Sequence, residues 1–281
     1  VQPPDAENAC LYSQQQGAHI REVMSVSDNN GRIGYSNNDV SLLAPHLFDG
    51  YEIVSLAFHD NSTLPVLWAA RDDGVLLGMT YVPSQNVRAW HQHTTQGAFE
   101  SVTCISEDTE VALYAIVKRT VNGREVRYVE RMHARLFATI DDVFAVDSGV
   151  SYDGPEESVF YVPHLKGASL VGVADGGVVN VTVDANGRVE LDTPAAKVCL
   201  GLAYTPRIES LPVALLASSG LGQGSIKNVD EAHIRVKATG GFFVGQNGGR
   251  MIEARWRSTE DYDSPPALKT GYVHVMLDPL W

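Results

Sequence analysis

Residues 67–95 read LWAARDDGVLLGMTYVPSQNVRAWHQHTT, and this stretch decides the fold class. Leu67-Trp68-Ala69-Ala70 is a short apolar run, and Asp72-Asp73-Gly74 follows it as a hairpin signal. Glycine accepts the positive φ that the favoured two-residue hairpin turns demand. Residues 75–82 supply the return strand, Pro83-Ser84-Gln85-Asn86 interrupts it, and Val87-Arg88-Ala89-Trp90-His91 resumes. The order strand, turn, strand, loop, strand is an antiparallel meander.

The unit recurs. Leu67-Trp68 returns as Leu113-Tyr114 and Ser55 as Ser101, both 46 residues later, and Leu11-Tyr12 opens a similar unit upstream. This spacing, with about four strands per unit, matches β-propeller blades. Two full copies and a partial one do not close a propeller. The expectation is therefore an all-β chain with partial β-propeller-like blades, antiparallel meanders over residues 1–138.

Further strands are expected at 9–12, 19–26, 52–59, 99–105, 111–119 and 126–132, with turns at Asp28-Asn29-Asn30-Gly31 and Asn122-Gly123. Residues 40–48, VSLLAPHLF, read as a short helical turn. Composition shifts at Asp141. Residues 141–157 read as a loop-rich acidic boundary, and short strands with Gly and Asn-Gly turns follow. Residues 139–200 are expected to form a small β-barrel or sandwich module, and 201–281 a C-terminal β module. In the latter, 231–239 and 271–277 alternate as strands.

The densest motif carries a family resemblance. Trp68, Asp73, Gly74, Leu76, Thr80, Tyr81, Val87, Trp90, His91, His93, Thr94, Thr95, Gly97, Phe99, Glu100, Ser101 and Val102 form a pattern. It resembles the nozzle proteins of short-tailed bacteriophages, of the tail tubular B and packaged-DNA stabilisation types. The match extends upstream through Ala44-Pro45-His46-Leu47-Phe48. Downstream it runs through Asn122, Gly123, Val126, Arg127, Tyr128 and Glu130, then Asp147-Ser148-Gly149, His164-Leu165-Lys166-Gly167 and Gly201-Leu202-Ala203-Tyr204-Thr205. The resemblance implies a structural virion protein made in the host bacterial cytoplasm. It implies a homo-oligomeric, six-fold ring in the tail tube, adjoining tail adaptor or fibre proteins. Genome DNA would pass through the ring without specific binding.

Net charge is −13 over 281 residues, which disfavours a nucleic-acid grip built on clustered Lys and Arg. No apolar run approaches the roughly 18 residues of a membrane helix, so no membrane span is expected. The chain starts at Val1 rather than Met and shows no signal segment, so it reads as a fragment or processed product. Cys10, Cys104 and Cys199 are far apart and form neither a zinc motif nor a disulfide framework.

Candidate chemistry is sparse. His91 and His93, at i and i+2 of one strand, could share an ion with Asp60 or Glu100 nearby. Polar packing at a blade edge is the reading adopted. Asp141, Asp142, Asp147, Asp153, Glu156 and Glu157 match no calcium loop and read as solvated. Residues 219–225, SGLGQGS, lack the Lys-Ser/Thr ending of a phosphate loop and read as a flexible connection. Trp68 and Trp90 occupy repeat positions and read as blade core, while Trp256 and Trp281 remain candidates for a sugar or interface face. No nucleophile elbow or ordered Ser-His-Asp set stands out, so no catalytic residue, metal or cofactor is expected. A glycan- or receptor-binding module of a phage tail or surface protein is the alternative function.

Overall fold

The computed structural model describes residues 5–6, 9–14, 19–27, 32–60, 64–108, 110–134, 137, 139–211, 216–217, 220–221, 228–254, 256 and 267–277. The expected Asp28–Gly31 turn, most of the 219–225 segment and Trp281 lie outside them. The described chain is all-β, with helix limited to single 3-10 turns such as Pro45–Leu47.

Three meanders follow one another. The first joins β1 (Asp5–Ala6), β2 (Ala9–Ser13), β3 (Ile20–Ser27) and β4 (Ile33–Asp39) in sequence order. The second joins β5 (Ile53–His59), β6 (Val66–Arg71), β7 (Leu76–Val82) and β8 (Val87–His93). The third is three-stranded: β9 (Ala98–Glu107), β10 (Glu110–Val121) and β11 (Arg124–Arg131). The 46-residue recurrence is a true structural repeat. Phe58 pairs with Leu67 as Cys104 pairs with Leu113, and Ser55 with Ala70 as Ser101 with Ile116. Leu11-Tyr12, Leu67-Trp68 and Leu113-Tyr114 all lie on the second strand of their meander.

The meanders stack like successive blades, and β6 is buried along its whole length. Strand alternation sends Leu67 and Ala69 to one face and Val66, Trp68 and Ala70 to the other. The first face joins Leu77, Met79 and Tyr81 against Leu11 and Ile20 of the first meander, with Leu47 and Phe48 from the turn between them. The second joins Leu76 against Val102, Leu113, Ala115 and Val117 of the third meander. Polar pins cross both seams. Arg88 donates to both oxygens of the fully buried Glu22 at 2.9 and 3.0 Å, and Trp90 Nε1 donates to Val40 O at 2.8 Å. On the other side Ser55 Oγ accepts from Val102 N and donates to Val102 O, both at 3.2 Å.

The hairpins have the chemistry their sequences announce. Asn122 and Gly123 both take positive φ (48° and 73°), as do Asp175 and Gly176 (45° and 79°). These are the values of the primed turns that suit the right-handed strand twist. The β6–β7 turn is reinforced by Arg71, which is 5% exposed. Arg71 grips Asp73, donates to Leu47 O at 2.7 Å and stacks on Tyr51 at 3.6 Å. The Arg71 hydrogen bonds hold the Asp73 carboxyl below its ordinary range, against an opposing desolvation. A lowered folded pKa stabilises above the unfolded value of about 3.9 and is lost as pH falls through the folded one. Asp73→Asn is therefore expected to cost about 1–2 kcal/mol at pH 7, the low end for a charged hydrogen bond because Asp73 is partly exposed. The gap in urea midpoints between variant and parent should narrow as pH falls below about 3.9; an equal gap at pH 3 and pH 7 would refute this pairing.

The next sheet has the order β12-β15-β13-β14. It comprises β12 (Asp147–Tyr161), β13 (Ser169–Ala174), β14 (Gly177–Thr182) and β15 (Arg188–Leu202). It is open, with β12 and β14 as edges, and no barrel closes among the described residues. One expectation needs correction here. Residues 147–157 are not a boundary loop but the first eleven of the fifteen residues of β12. The segment holds Pro155 because β12 is an edge strand whose ladder is interrupted between Asp153 and Val159, where a missing N–H costs nothing. The sheet also runs two residues beyond 200. Its core gathers Phe160, Val162, Leu165, Leu170, Val189 and Leu200.

The remaining strands are β16 (Leu216–Ala217), β17 (Gly220–Leu221), β18 (Glu231–Thr239), β19 (Phe242–Val244), β20 (Ile252–Ala254) and β21 (Lys269–Met276). They form three two-stranded ribbons, β16-β17, β18-β21 and β19-β20. The last two share a small core of Ala254, Val273, Val275 and Leu277, with Phe242 and Trp256 packed on it.

Candidate functional site

His91 and His93 do converge. Their β8 positions face the third meander, and His91 lies opposite Gly78. A Cβ at 78 would collide with the His91 ring, so glycine there makes room for the imidazole. His91 then meets Trp68 edge-on at 5.8 Å, and His93 meets it at 5.3 Å. The two imidazoles bond each other, His91 Nδ1 to His93 Nε2 at 2.9 Å. Neither Asp60 nor Glu100 joins them within metal-ligand distance. Glu100 instead receives Arg127 at 2.7 and 3.0 Å. The pair packs the Trp68 face.

A Ser-His-Asp trio that sequence order conceals does assemble at the end of β4. Ser41 Oγ lies 2.9 Å from His19 Nδ1 and donates to Asp39 Oδ1 at 2.6 Å, and Asp39 Oδ2 lies 3.1 Å from the same Nδ1. A catalytic triad needs one imidazole nitrogen for the nucleophile and the other for the carboxylate. Here both partners face Nδ1, Nε2 faces Asp49 at 3.5 Å, and Ser41 is fully buried. Desolvation pushes Asp39 up, but the Ser41 hydrogen bonds and the His19 and Arg21 charges outweigh it and leave its pKa lowered. The trio locks the chain's entry into the 40–48 turn.

The acidic set is dispersed. Asp142 accepts Lys197 Nζ at 2.8 Å and Thr139 Oγ1 at 2.8 Å, and Asp153 lies 3.8 Å from the same ammonium. Asp147 belongs to a different place, the junction between the blades and the β12–β15 sheet.

That junction is the most organised polar site among the described residues. Arg119, 2% exposed, donates Nε and Nη2 to Glu130 at 2.6 and 2.7 Å. Its Nη1 reaches Thr95 Oγ1 and Gln96 O, both at 2.9 Å. Burial pushes the Asp147 carboxyl up, against a Thr95 hydrogen bond and the Arg119 charge. Gln96 Nε2 donates to Ala203 O at 3.1 Å. Tyr128 OH donates to His164 O at 2.8 Å, and His164 Nε2 contacts Ser148 O at 2.8 Å. Gly149 and Gly201 touch there, since a Cβ on Gly201 would lie 2.8 Å from Gly149 Cα. Segments spread from Thr95 to Ala203 thus meet at one seam, and they are the segments that carry the resemblance. Arg119, which knits them together, was not singled out by sequence; an arginine in an alternating strand reads as solvent-facing.

The tryptophans divide. Trp68 is fully buried as expected. Trp90 is half-buried, held edge-on against Phe48 at 4.8 Å. Trp256 is also half-buried, against Phe242 at 5.8 Å. None of the three described tryptophans offers an exposed stacking platform. Cys199 is buried and Cys104 half-buried; burial pushes their thiols up to about 11 and about 12.

One cluster escaped the sequence reading. Glu231, His233 and His274 bring three ligand atoms within 4.8 Å of one another. Alternation places Glu231 and His233 on one face of β18, but their register against β21 is not written in any local pattern. No protein-family model matches the chain, and no curated protein gives a significant match.

Proposed function

We propose that the chain is a structural virion protein of a short bacteriophage tail, a nozzle or tail-tube component lining the route of DNA retention and ejection. The observation that carries this reading is where the resembling residues sit. Trp68, Gly74, Tyr81, Val102, Thr95, Glu130 and Asp147 serve blade packing and the junction seam rather than a cleft. A motif spent on packing specifies an architecture, so the resemblance bears on what is built rather than on a reaction. Charge supports a passive conduit. Against −13 overall, Arg71, Arg88, Arg119, Arg127, Arg131 and Lys197 are each already paired with carboxylates. Cations so paired are less able to displace the counterions of duplex DNA.

The reading includes assembly into a closed ring beside adaptor or fibre proteins, with the genome passing through. It is tested by electron microscopy of the purified chain at high concentration and by duplex binding at about 50 and 200 mM salt. Rings with a central opening and weak duplex binding at both salts are the expected results. Monomers that retain glycans would favour the receptor-binding alternative. Tight binding that collapses with salt would overturn the passive conduit.

A further inference from the structure

We propose that Glu231, His233 and His274 form a binding site for a divalent transition-metal ion of the zinc or cobalt class, on the exposed face of the β18–β21 ribbon. His233 and His274 are direct cross-strand partners. Their rings stack at 4.5 Å with only 10° between planes. Glu231, two residues before His233 on the same face, places its carboxylate between them. One oxygen lies 2.9 Å from His274 Nε2 and the other 3.5 Å from His233 Nε2. Two imidazole nitrogens and a carboxylate within 4.8 Å of one another supply the donor set of a three-ligand zinc site, which leaves a fourth position for water or another donor. Bonds of about 2.0–2.2 Å would require the two stacked rings to tilt toward a shared ion, which the exposure of all three side chains leaves room for.

The scaffold suits the role. The opposite face of the ribbon is anchored by Val273 and Val275 in the C-terminal core, so the two strands hold their register without the metal. The donors are solvent-exposed, so an ion can enter without opening the fold. The neighbouring row is occupied by Arg235 over Tyr272 at 5.9 Å, which leaves Glu231 as the anionic donor for the histidine pair. The proposal is independent of the tail-protein reading.

The experiment is titration of the full chain, without a polyhistidine tag, with cobalt(II) followed by visible absorption and with zinc(II) by calorimetry. One ion per chain and the intense d–d bands of a low-coordinate cobalt site are expected. His233→Ala and His274→Ala should each weaken binding by more than about tenfold, the least that loss of even an outer-shell partner costs at metal sites. Glu231→Gln should weaken it in the same direction. Melting in the absence of metal should stay near that of the parent, because these side chains are exposed. Binding that survives the His233→Ala/His274→Ala double variant, or that is lost instead in His91→Ala/His93→Ala, would overturn the assignment. So would the absence of stoichiometric binding in the parent.

Discussion

Trp68→Ala is expected to lower stability by about 3–5 kcal/mol, the range for deleting a large aromatic side chain from a core. The indole is fully buried between Ala57 on one neighbouring strand and Gly78 on the other, in register with both. Its face is closed by Val102, Leu113, Ala115 and Val117 of the next meander and capped by His91 and His93. These neighbours are fixed by two hydrogen-bonded sheets, so they cannot collapse into the cavity. The largest costs are found at such sites. Its Nε1 has no hydrogen-bond partner among the described residues, so Trp68→Phe gives up volume but no polar contact and should cost much less. Differential scanning calorimetry checks both. At about 2–4 °C per kcal/mol for chains of this size class, the alanine variant should lose on the order of 10 °C in the blade transition. A shift below about 2 °C would mean that the meanders do not share this core.

Arg119→Ala is the second large effect. Removing one partner of a buried ion pair costs about 3–5 kcal/mol because the other is left uncompensated. Glu130 keeps 21% exposure and regains some hydration, which favours the lower end. Thr95 Oγ1 and Gln96 O lose their donor as well, so the loop before β9 loosens together with the seam to the following sheet. Arg119→Lys should not rescue the loss, since an ammonium cannot present the planar fork that spans Glu130 and the loop at once. Arg119→Met with Glu130→Met should recover part of it, because a buried pair replaced by apolar groups of similar volume is often tolerated. Urea midpoints for the four proteins test the series. An Arg119→Lys variant as stable as the parent would show that the seam needs only a positive charge.

Much of this architecture is legible along the chain. Short apolar runs and alternation marked most strands of the three meanders, though not β1 or β4. Gly74 and Asn122-Gly123 set two of the meander turns, and Asp175-Gly176 the β13–β14 turn, because few other residues accept the positive φ found there. The 46-residue recurrence correctly marked equivalent strand pairs, down to the register of Phe58 with Leu67 and Cys104 with Leu113. Trp68 was identifiable as core because both its neighbours along β6 are also apolar.

Tertiary structure decided the rest, because the deciding contacts are distant in sequence. Glu22 and Arg88 are 66 residues apart, and each reads locally as a surface charge; only stacking of two meanders buries the carboxylate against its guanidinium. Arg119 stands in the same strand row as Leu113, Ala115 and Val117, yet only the approach of residues 95–96 and Glu130 makes that position a polar junction. Residues 147–157 look like a linker because acidic residues, Gly and Pro disfavour strands locally. Pairing with β15 overrides that preference, and the ladder simply skips where Pro155 stands. His91 and His93 attracted attention as sequence neighbours and were committed to packing Trp68. His233 and His274, 41 residues apart, were joined by strand register alone. Local pattern determines which way each side chain points from its strand; what it meets there is set by the other strands the fold brings across.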